Sequence, residues 1–479
     1  MRRFITLLMV VSLGLGWVVQ ERARAYTLQY ADASSTVRIK WPGRTITVAL
    51  SSSLVTPPAN IKPGSDVVGA VRRALARWAE VAGVEFVETS SDALSISPSA
   101  GGDGVSLITV ADTPENRAVF MNAERTGRTR IFYDPATGAI AEADVVLNPA
   151  AQFSTDGTPG TYDLEATLTH EVGHVLGLEH SDEAGAAMQP RQGTNGLYEQ
   201  AAVCPRTLSD DDRAGARALY GSPELFGSIA GVVTDSTGAR AAGAHVWAED
   251  ASTGRVVAGN ATLADGTYRI EGLPPGQYHL VTEHASASGH VSEAGFAEGL
   301  SNELGDAPSS VSTAETGGQV LVAAGATFQQ DFTLGRENST LRPHVFGSNG
   351  HLSTIAVPLV QGRRYTIFVG GQGIDQIEGS GVTVTSPFIK VNPASLTSQS
   401  GVNYQYPIVS FEVEVGQEAP LGDYTVRLQT KTGEVAYISG GLTIDEAVGA
   451  RRPQGKLAVA SALGIPGALL DALWPDKAL

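Results

Sequence analysis

The chain has 479 residues, 42% of them hydrophobic, and a mean hydropathy near zero. This length and composition indicate a soluble globular protein of about three domains. The formal net charge of −17 provides no basic surface for a phosphate backbone, which argues against nucleic acid as a partner. Acidic residues leave calcium binding as an open alternative, but no loop has EF-hand spacing.

The first 25 residues have the pattern of a signal peptide. Arg2 and Arg3 form the charged start, residues 4–19 form the apolar stretch, and Ala23-Arg24-Ala25 fits an A-x-A cleavage site. The apolar run is shorter than the ~20 residues that span a bilayer, so a membrane anchor is the weaker alternative. We therefore predict a secreted protein, extracellular or periplasmic, that begins at Tyr26 and has no membrane span after cleavage.

Residues 26–221 are predicted to form an α+β domain. Alternating or β-branched runs predict strands at 37–41, 45–48, 106–110, 129–133 and 143–147. Apolar residues at helical spacing between Val67 and Val81 predict a helix with Ser65 as its N-cap. A second helix is expected to begin at Asp163. A capping box at Ser209–Asp212 predicts a third helix that stops near Gly221.

The second predicted helix carries the motif H-E-x-x-H-x-x-G-x-x-H. His170 and His174 are four residues apart and project from the same helix face, so both imidazoles can reach one metal ion. Gly177 can adopt a left-handed conformation, which lets the chain turn back and bring in His180. Three nitrogen ligands with one position left for water indicate a catalytic Zn²⁺ site, and Glu171 is the predicted general base.

This segment resembles a metzincin, specifically a matrixin, the family of matrix metalloproteinases and their bacterial relatives. By that resemblance Met188 supports the metal site from below, and Gly138–Asn148 supplies the edge strand that pairs with an extended substrate. Three features depart from the family. Gln192 stands where many members have tyrosine, so the resemblance does not fix the shape of the main specificity pocket. No histidine precedes His170, so the second, structural zinc of the vertebrate enzymes is not expected. Only a short stretch separates Tyr26 from the first predicted strand, so the family's cysteine-bearing propeptide is expected to be missing.

The rest of the chain is predicted to be all-β. Residues 226–334 resemble a carboxypeptidase regulatory-like β-sandwich, and residues 341–445 loosely resemble an immunoglobulin-like sandwich. Residues 446–479 are interpreted as a docking or disordered tail. The two sandwiches are expected to present the enzyme to a surface or a substrate. Cys204 is the single cysteine, so no intrachain disulfide can form; a metal ligand, an intermolecular link and a buried small hydrophobe remain open for it.

Together these features predict a secreted zinc-dependent endopeptidase that hydrolyses peptide bonds through a zinc-activated water. Its predicted metal ligands are His170, His174 and His180, its predicted base is Glu171, and its substrates are proteins or peptides. Two alternatives remain. The first is a binding or adhesion protein that uses an inactive metzincin fold as a scaffold, and the second is a zinc hydrolase with a non-protein substrate. Six further histidines suggest no shared metal site: His245, His279, His284, His290, His344 and His351.

Overall fold

The computed structural model describes residues 28–31, 37–99, 101–120, 125–286, 310–335, 340–399 and 406–445. The predicted signal peptide, the Tyr26 start and the predicted tail lie outside these residues. No helix within the described ranges is long and apolar enough to cross a membrane.

The first domain combines a five-stranded sheet with helices. Its strands are β1 (Thr45–Ser51), β2 (Glu85–Ser91), β3 (Leu107–Thr109), β4 (Gly127–Tyr133) and β5 (Ile140–Leu147), followed by the short β6 (Phe153–Ser154) and β7 (Tyr162–Asp163). Its helices are α1 (Val67–Ala82), α2 (Pro114–Ala118), α3 (Leu164–Val175) and α4 (Asp210–Tyr220). The sheet order is β2-β1-β3-β5-β4, and β4 alone runs antiparallel to its neighbour.

The predicted first helix is confirmed, but its cap is wrong by one residue. Asp66, not Ser65, is the N-cap, and its side chain accepts a hydrogen bond from the Gly69 amide. A carboxylate one residue closer to the helix reaches this amide at the helix start, where its charge also favours the dipole. The buried face runs through Trp78, which packs toward α3.

The edge strand implied by the matrixin resemblance is corrected. The segment Gly138–Asn148 contains β5, which lies between β3 and β4 inside the sheet, and seven of its eight residues are buried. The edge is β4, whose middle residues are only half-buried. Residues 37–41, also predicted to be a strand, contribute only isolated bridges from Arg38 and Lys40.

The second and third domains are two-sheet β-sandwiches, which confirms the predicted fold class. The second contains β8 (Gly227–Thr234), β9 (His245–Asp250), β10 (Val256–Ala261), β11 (Thr267–Leu273), β12 (Gly276–Ser286), β13 (Ser310–Glu315), β14 (Val320–Val322), β15 (Thr327–Gln329) and β16 (Phe332–Thr333). Its sheets are β10-β9-β12-β13, with β14 beside β12, and β11-β8-β15, with β16 beside β8.

The third domain contains β17 (Arg342–Ser348), β18 (His351–Ser353), β19 (Val357–Leu359), β20 (Arg364–Gln372), β21 (Ile377–Val384), β22 (Ile389–Gln399), β23 (Ile408–Val415), β24 (Gly422–Thr430) and β25 (Val435–Ile444). Its sheets follow the orders β18-β17-β20-β23-β22 and β19-β25-β24-β21. Their inner faces enclose a core of aliphatic residues and Phe411.

The three domains meet around one buried carboxylate. Glu183, on the loop after the third motif histidine, is fully buried and lies 3.2 Å from Nε2 of His245 on β9. The same carboxylate accepts a hydrogen bond from the hydroxyl of Ser439 on β25. Beside it, Asp211 of α4 accepts a 2.8 Å bond from the Gly259 amide on β10. The first domain is therefore packed against both sandwiches through polar contacts shielded from water.

Titratable groups at this junction favour the protonated form. Burial raises the pKa of Glu249 on β9 and of Glu283 on β12 to about 7 each. Burial opposes protonation of His245, but its hydrogen bond to Glu183 and the charges of Glu183 and Asp182 outweigh it and raise the pKa of the imidazole. Folding therefore takes up protons at all three positions.

We expect the thermal midpoint of the full chain to fall as the pH rises, relative to that of the double variant Glu249→Gln, Glu283→Gln. The stabilisation from the two glutamates is complete below the ordinary glutamate pKa of 4.5 and is lost as the pH passes through the folded values of about 7. Between pH 5.5 and 8.5 the difference between the two midpoints should change by about 5 °C or more by differential scanning calorimetry. Groups common to both proteins cancel in this comparison, including histidines whose lowered pKa values act in the opposite direction. A difference that does not change with pH would contradict the prediction.

Candidate zinc centre

Helix α3 is fixed at its start by the predicted aspartate cap. Asp163 accepts hydrogen bonds from the amides of Glu165 and Ala166 at 3.1 and 3.0 Å. Arg206 holds the same carboxylate, with its Nε 2.9 Å from both oxygens. A cap that is itself held by a buried ion pair fixes the helix register and hence the direction of the motif side chains.

The chain turns sharply just after the second motif histidine. α3 ends at Val175, and Gly177 has φ +96°, in the left-handed region predicted for it. A Cβ on Gly177 would lie 2.2 Å from the carbonyl oxygen of Ile39, so no other residue fits. This turn returns the chain toward α3 and brings His180 beside the helix.

The three motif histidines converge on one point. His170, His174 and His180 each offer a nitrogen, and these atoms lie within 4.8 Å of one another. Nε2 of His170 and Nε2 of His174 are 3.1 Å apart. Their Nδ1 atoms lie 2.8 Å from the carbonyl oxygens of Ala187 and Leu178, respectively, which orients both rings. In the described part of the chain, no other group of three or more histidine, cysteine or acidic residues is compact enough to hold a metal ion.

The surroundings keep these imidazoles neutral. Burial, with the neighbouring histidine charge second, lowers the pKa of His170 to about 3. Burial lowers the pKa of His174 to about 4 and that of His180 well below its ordinary value. A neutral imidazole has the lone pair that a metal requires, so the site is already in its ligating form at neutral pH.

Met188 packs against helix α3 at Gly173, the residue before the second motif histidine. A Cβ on Gly173 of α3 would lie 2.2 Å from the Met188 sulfur and 2.8 Å from the ring of Trp78. Asp212, at the start of α4, accepts hydrogen bonds from the amides of Ala187 and Met188 at 2.8 and 3.0 Å. The fourth helix thus holds the loop whose Ala187 carbonyl orients the first histidine. The sequence predicted the helix cap at Ser209–Asp212. It did not predict that Asp212 also accepts hydrogen bonds from the Ala187 and Met188 amides.

Glu171 lies against the edge strand β4. Its carboxylate is buried, and Oε2 accepts a 2.6 Å hydrogen bond from the Thr129 hydroxyl. Burial raises the pKa of Glu171 to about 7, although the Thr129 bond opposes this shift. A Cβ on Gly127 would lie 2.5 Å from Oε1, so only glycine leaves room for the carboxylate. In the sequence, only the glycine within a strand pointed to this contact. Nothing in the sequence indicated the hydrogen bond from Thr129.

The family model described as Matrixin matches residues 40–221, and that of the carboxypeptidase regulatory-like domain matches residues 228–335. This matching segment, residues 40–221, is called the matrixin domain below. Metalloendoproteinase 1-MMP of Arabidopsis thaliana is 32% identical over 197 residues, which are 39% of this chain and 46% of that protein. Matrix metalloproteinase-19 of Homo sapiens is 30% identical over 173 residues, or 36% of this chain and 29% of that protein. The chain thus spans less than half the length of these relatives.

Among solved structures, the match to the major pilin subunit BcpA of Bacillus cereus covers 44% of this chain and 66% of that one, with 15% identity and a TM-score of 0.14. A score this low supports no conclusion about function.

The residues of the matrixin domain fit Zn²⁺. Three neutral imidazoles with facing nitrogens form the donor set of a catalytic zinc site, and the carbonyl acceptors behind two of them are the usual supporting contacts. The matrixin family is zinc-dependent, which agrees with this donor set.

The remaining histidines do not join the centre. Five lie in the described β domains and one, His290, lies outside the described residues. His245 pairs with Glu183, and His284 lies 3.1 Å from the Ala242 carbonyl oxygen. His245 therefore lies at a domain interface and His284 within a sandwich.

Gln192 and Cys204 line the same narrow cavity at the matrixin domain. Oε1 of Gln192 accepts hydrogen bonds from the hydroxyls of Thr167 on α3 and Thr126 before β4, at 2.8 and 3.0 Å. The buried sulfur of Cys204 accepts a 3.2 Å bond from the Gly193 amide, and burial raises its thiol pKa to about 12. The cysteine therefore acts as a buried small residue and is not part of the metal group.

Proposed function

We propose that this chain is an exported zinc-dependent endopeptidase. The observation that carries the proposal is the convergence of His170, His174 and His180 on one point, with the buried carboxylate of Glu171 on the same helix. The matrixin domain supports the same reaction class. Export is inferred from the charged, apolar and A-x-A segments of residues 1–25.

In the proposed reaction Glu171 handles the protons. A zinc ion bound by the three histidines would supply Lewis-acid polarisation of the scissile carbonyl and lower the pKa of water. Glu171 accepts a proton from the attacking water as the new C–O bond forms, and delivers it to the amine nitrogen as the C–N bond breaks. The carboxylate can take this proton from the water and release it to the amine in turn. The hydrogen bond from the Thr129 hydroxyl holds the Glu171 carboxylate in its orientation.

The substrate is proposed to be an extended protein segment. Within the described residues β4 is the last strand of its sheet, so its outer backbone groups are available for a peptide to pair with. The same strand carries Gly127 and Thr129 against Glu171, so a peptide paired there would pass directly beside the general base. Main-chain pairing would accept many sequences and leave selectivity to side-chain pockets.

The test is metal-dependent cleavage by the full chain. Purified protein should cut unfolded casein, lose activity when zinc is chelated, and regain it with stoichiometric Zn²⁺ but not Mg²⁺. His174→Ala should neither retain zinc nor cleave. Stoichiometric zinc without cleavage of casein or of a diverse peptide library would favour the scaffold or the non-peptidase hydrolase. N-terminal sequencing of the exported protein, expected to begin at Tyr26, tests the export.

A further inference from the structure

The loop that follows Met188 belongs partly to the core of another domain. Residues 189–205, here called the 189–205 loop, leave the metal site and return to α4 within the matrixin domain. Three of its buried residues, Tyr198, Val203 and Cys204, pack in the hydrophobic core of the third domain with Phe346 and Ile355. Most of the matrixin core is continuous instead with the second domain, and Ala166 of α3 joins the third-domain core.

Tyr198 anchors this loop in the third domain. Its side chain is 1% exposed, and its hydroxyl donates a 2.6 Å hydrogen bond to the Ile355 carbonyl oxygen and lies 3.0 Å from the Ser353 hydroxyl. In return, the amide nitrogen of the Asn349 side chain donates a 2.8 Å bond to the Tyr198 carbonyl. These partners lie on or beside the hairpin of β17 and β18, so one small element of the third domain holds the loop.

The backbone at this anchor is strained. Tyr198 has φ +56° and Glu199 has φ +59°, both in the left-handed region that side chains other than glycine rarely adopt. Such a conformation persists only where its surroundings impose it. Hydrogen bonds within the loop support it, and the side-chain and carbonyl contacts of Tyr198 itself come from the third domain.

The same loop also forms part of the surface next to the motif histidines and Glu171. Gln192 is fixed to Thr167, one turn before His170 on α3, and to Thr126, next to the glycine that touches Glu171. The neighbouring Gly193 is in contact with the third domain, because a Cβ there would lie 3.4 Å from Ile355. A narrow cavity next to this surface is lined by Gln192, Cys204 and Ile355 together. Ile355, a side chain of the third domain, thus borders the part of the loop that lies beside the reacting groups.

We propose that the third domain sets the side-chain preference of the peptidase by holding the 189–205 loop beside the reacting groups, with Tyr198 as the positioning residue. The inference rests on the proposed function. It gives the third domain a part in substrate selection that does not depend on its binding any partner.

The test compares Tyr198→Phe with Tyr424→Phe in the full chain. Both substitutions remove a hydroxyl from a buried tyrosine. The Tyr424 hydroxyl donates its hydrogen bond to the Pro420 carbonyl oxygen, which lies within the third domain and outside the loop. Each variant is assayed with peptides that differ only in the residue after the cut. Tyr198→Phe should change the ratio of kcat/KM between large apolar and small polar residues by about 10-fold or more, mainly through KM. Zinc content should stay unchanged.

A second substitution changes the third-domain side of the contact with the loop. Ile355→Ala should shift the same ratio in the same direction, and Ile355→Val should restore most of it. Tyr424→Phe should leave the ratio as in wild type. A Tyr198→Phe enzyme with the wild-type ratio, or a Tyr424→Phe enzyme with an equal shift, would overturn the inference.

Amide hydrogen exchange separates this inference from the proposed function. If the wild-type chain cleaves nothing, the proposed function fails, and the loop is then judged by exchange alone. Tyr198→Phe should speed exchange of the amides of residues 193–204 by about 10-fold or more, with α3 unaffected. Unchanged exchange in that segment would overturn the positioning role regardless of activity.

Discussion

Glu171→Gln is expected to lower kcat/KM by about 10²–10⁴-fold while zinc remains stoichiometric. Glutamine has the same shape as glutamate and keeps an oxygen for the Thr129 hydroxyl, which lies 2.6 Å from the carboxylate. It cannot accept a proton from water. The substitution should not unfold the site, because burial already favours the neutral form of this side chain and raises its pKa to about 7.

The measurement pairs steady-state cleavage of a fluorogenic peptide with zinc analysis of the same preparations. Glu80→Gln is a matched control, since it removes one carboxylate from an exposed position on α1. Its activity should equal that of wild type. The role assigned to Glu171 fails if the variant keeps activity within about threefold of wild type, well inside the loss expected for a general base.

Asp212→Asn is expected to cost about 2–5 kcal/mol of the free energy of unfolding. The carboxylate is fully buried. Besides the Ala187 and Met188 amides, it accepts hydrogen bonds from the backbone and the hydroxyl of Ser209, both at 2.8 Å. An amide group in its place puts an NH₂ against N–H donors, which leaves buried donors unpaired.

The same substitution should weaken zinc binding by about 10–100-fold, because Asp212 holds the loop whose Ala187 carbonyl orients His170. Denaturant unfolding and a chelator competition measure the two effects. Asp210→Asn is the matched control. It removes a charge from the same helix turn, and its partly exposed pair with Arg255 is worth only about 0–1 kcal/mol. Equal stability losses in the two variants would contradict the prediction.

Local features of this protein could be predicted from its sequence because short-range physics determines them. The spacing of His170 and His174 on a helix, the left-handed turn at Gly177 and the caps at Asp163 and Ser209 involve residues a few positions apart. Their backbone geometry has few alternatives. The all-β character of the last two domains follows in the same way from alternating patterns and frequent turns.

Only the tertiary structure determined which distant residues complete the site. Periodicity could not distinguish β4 from β5 as the edge of the sheet, because strand order depends on long-range pairing and not on either strand alone. The contact between Thr129 and Glu171 joins residues 42 positions apart. That between Tyr198 and Ile355 joins residues 157 apart, in different domains. The sequence by itself thus determined the candidate metal ligands and the reaction class they favour. Packing between elements decided what holds Glu171 and what shapes the surface beside it, because those contacts exist only after the domains have come together.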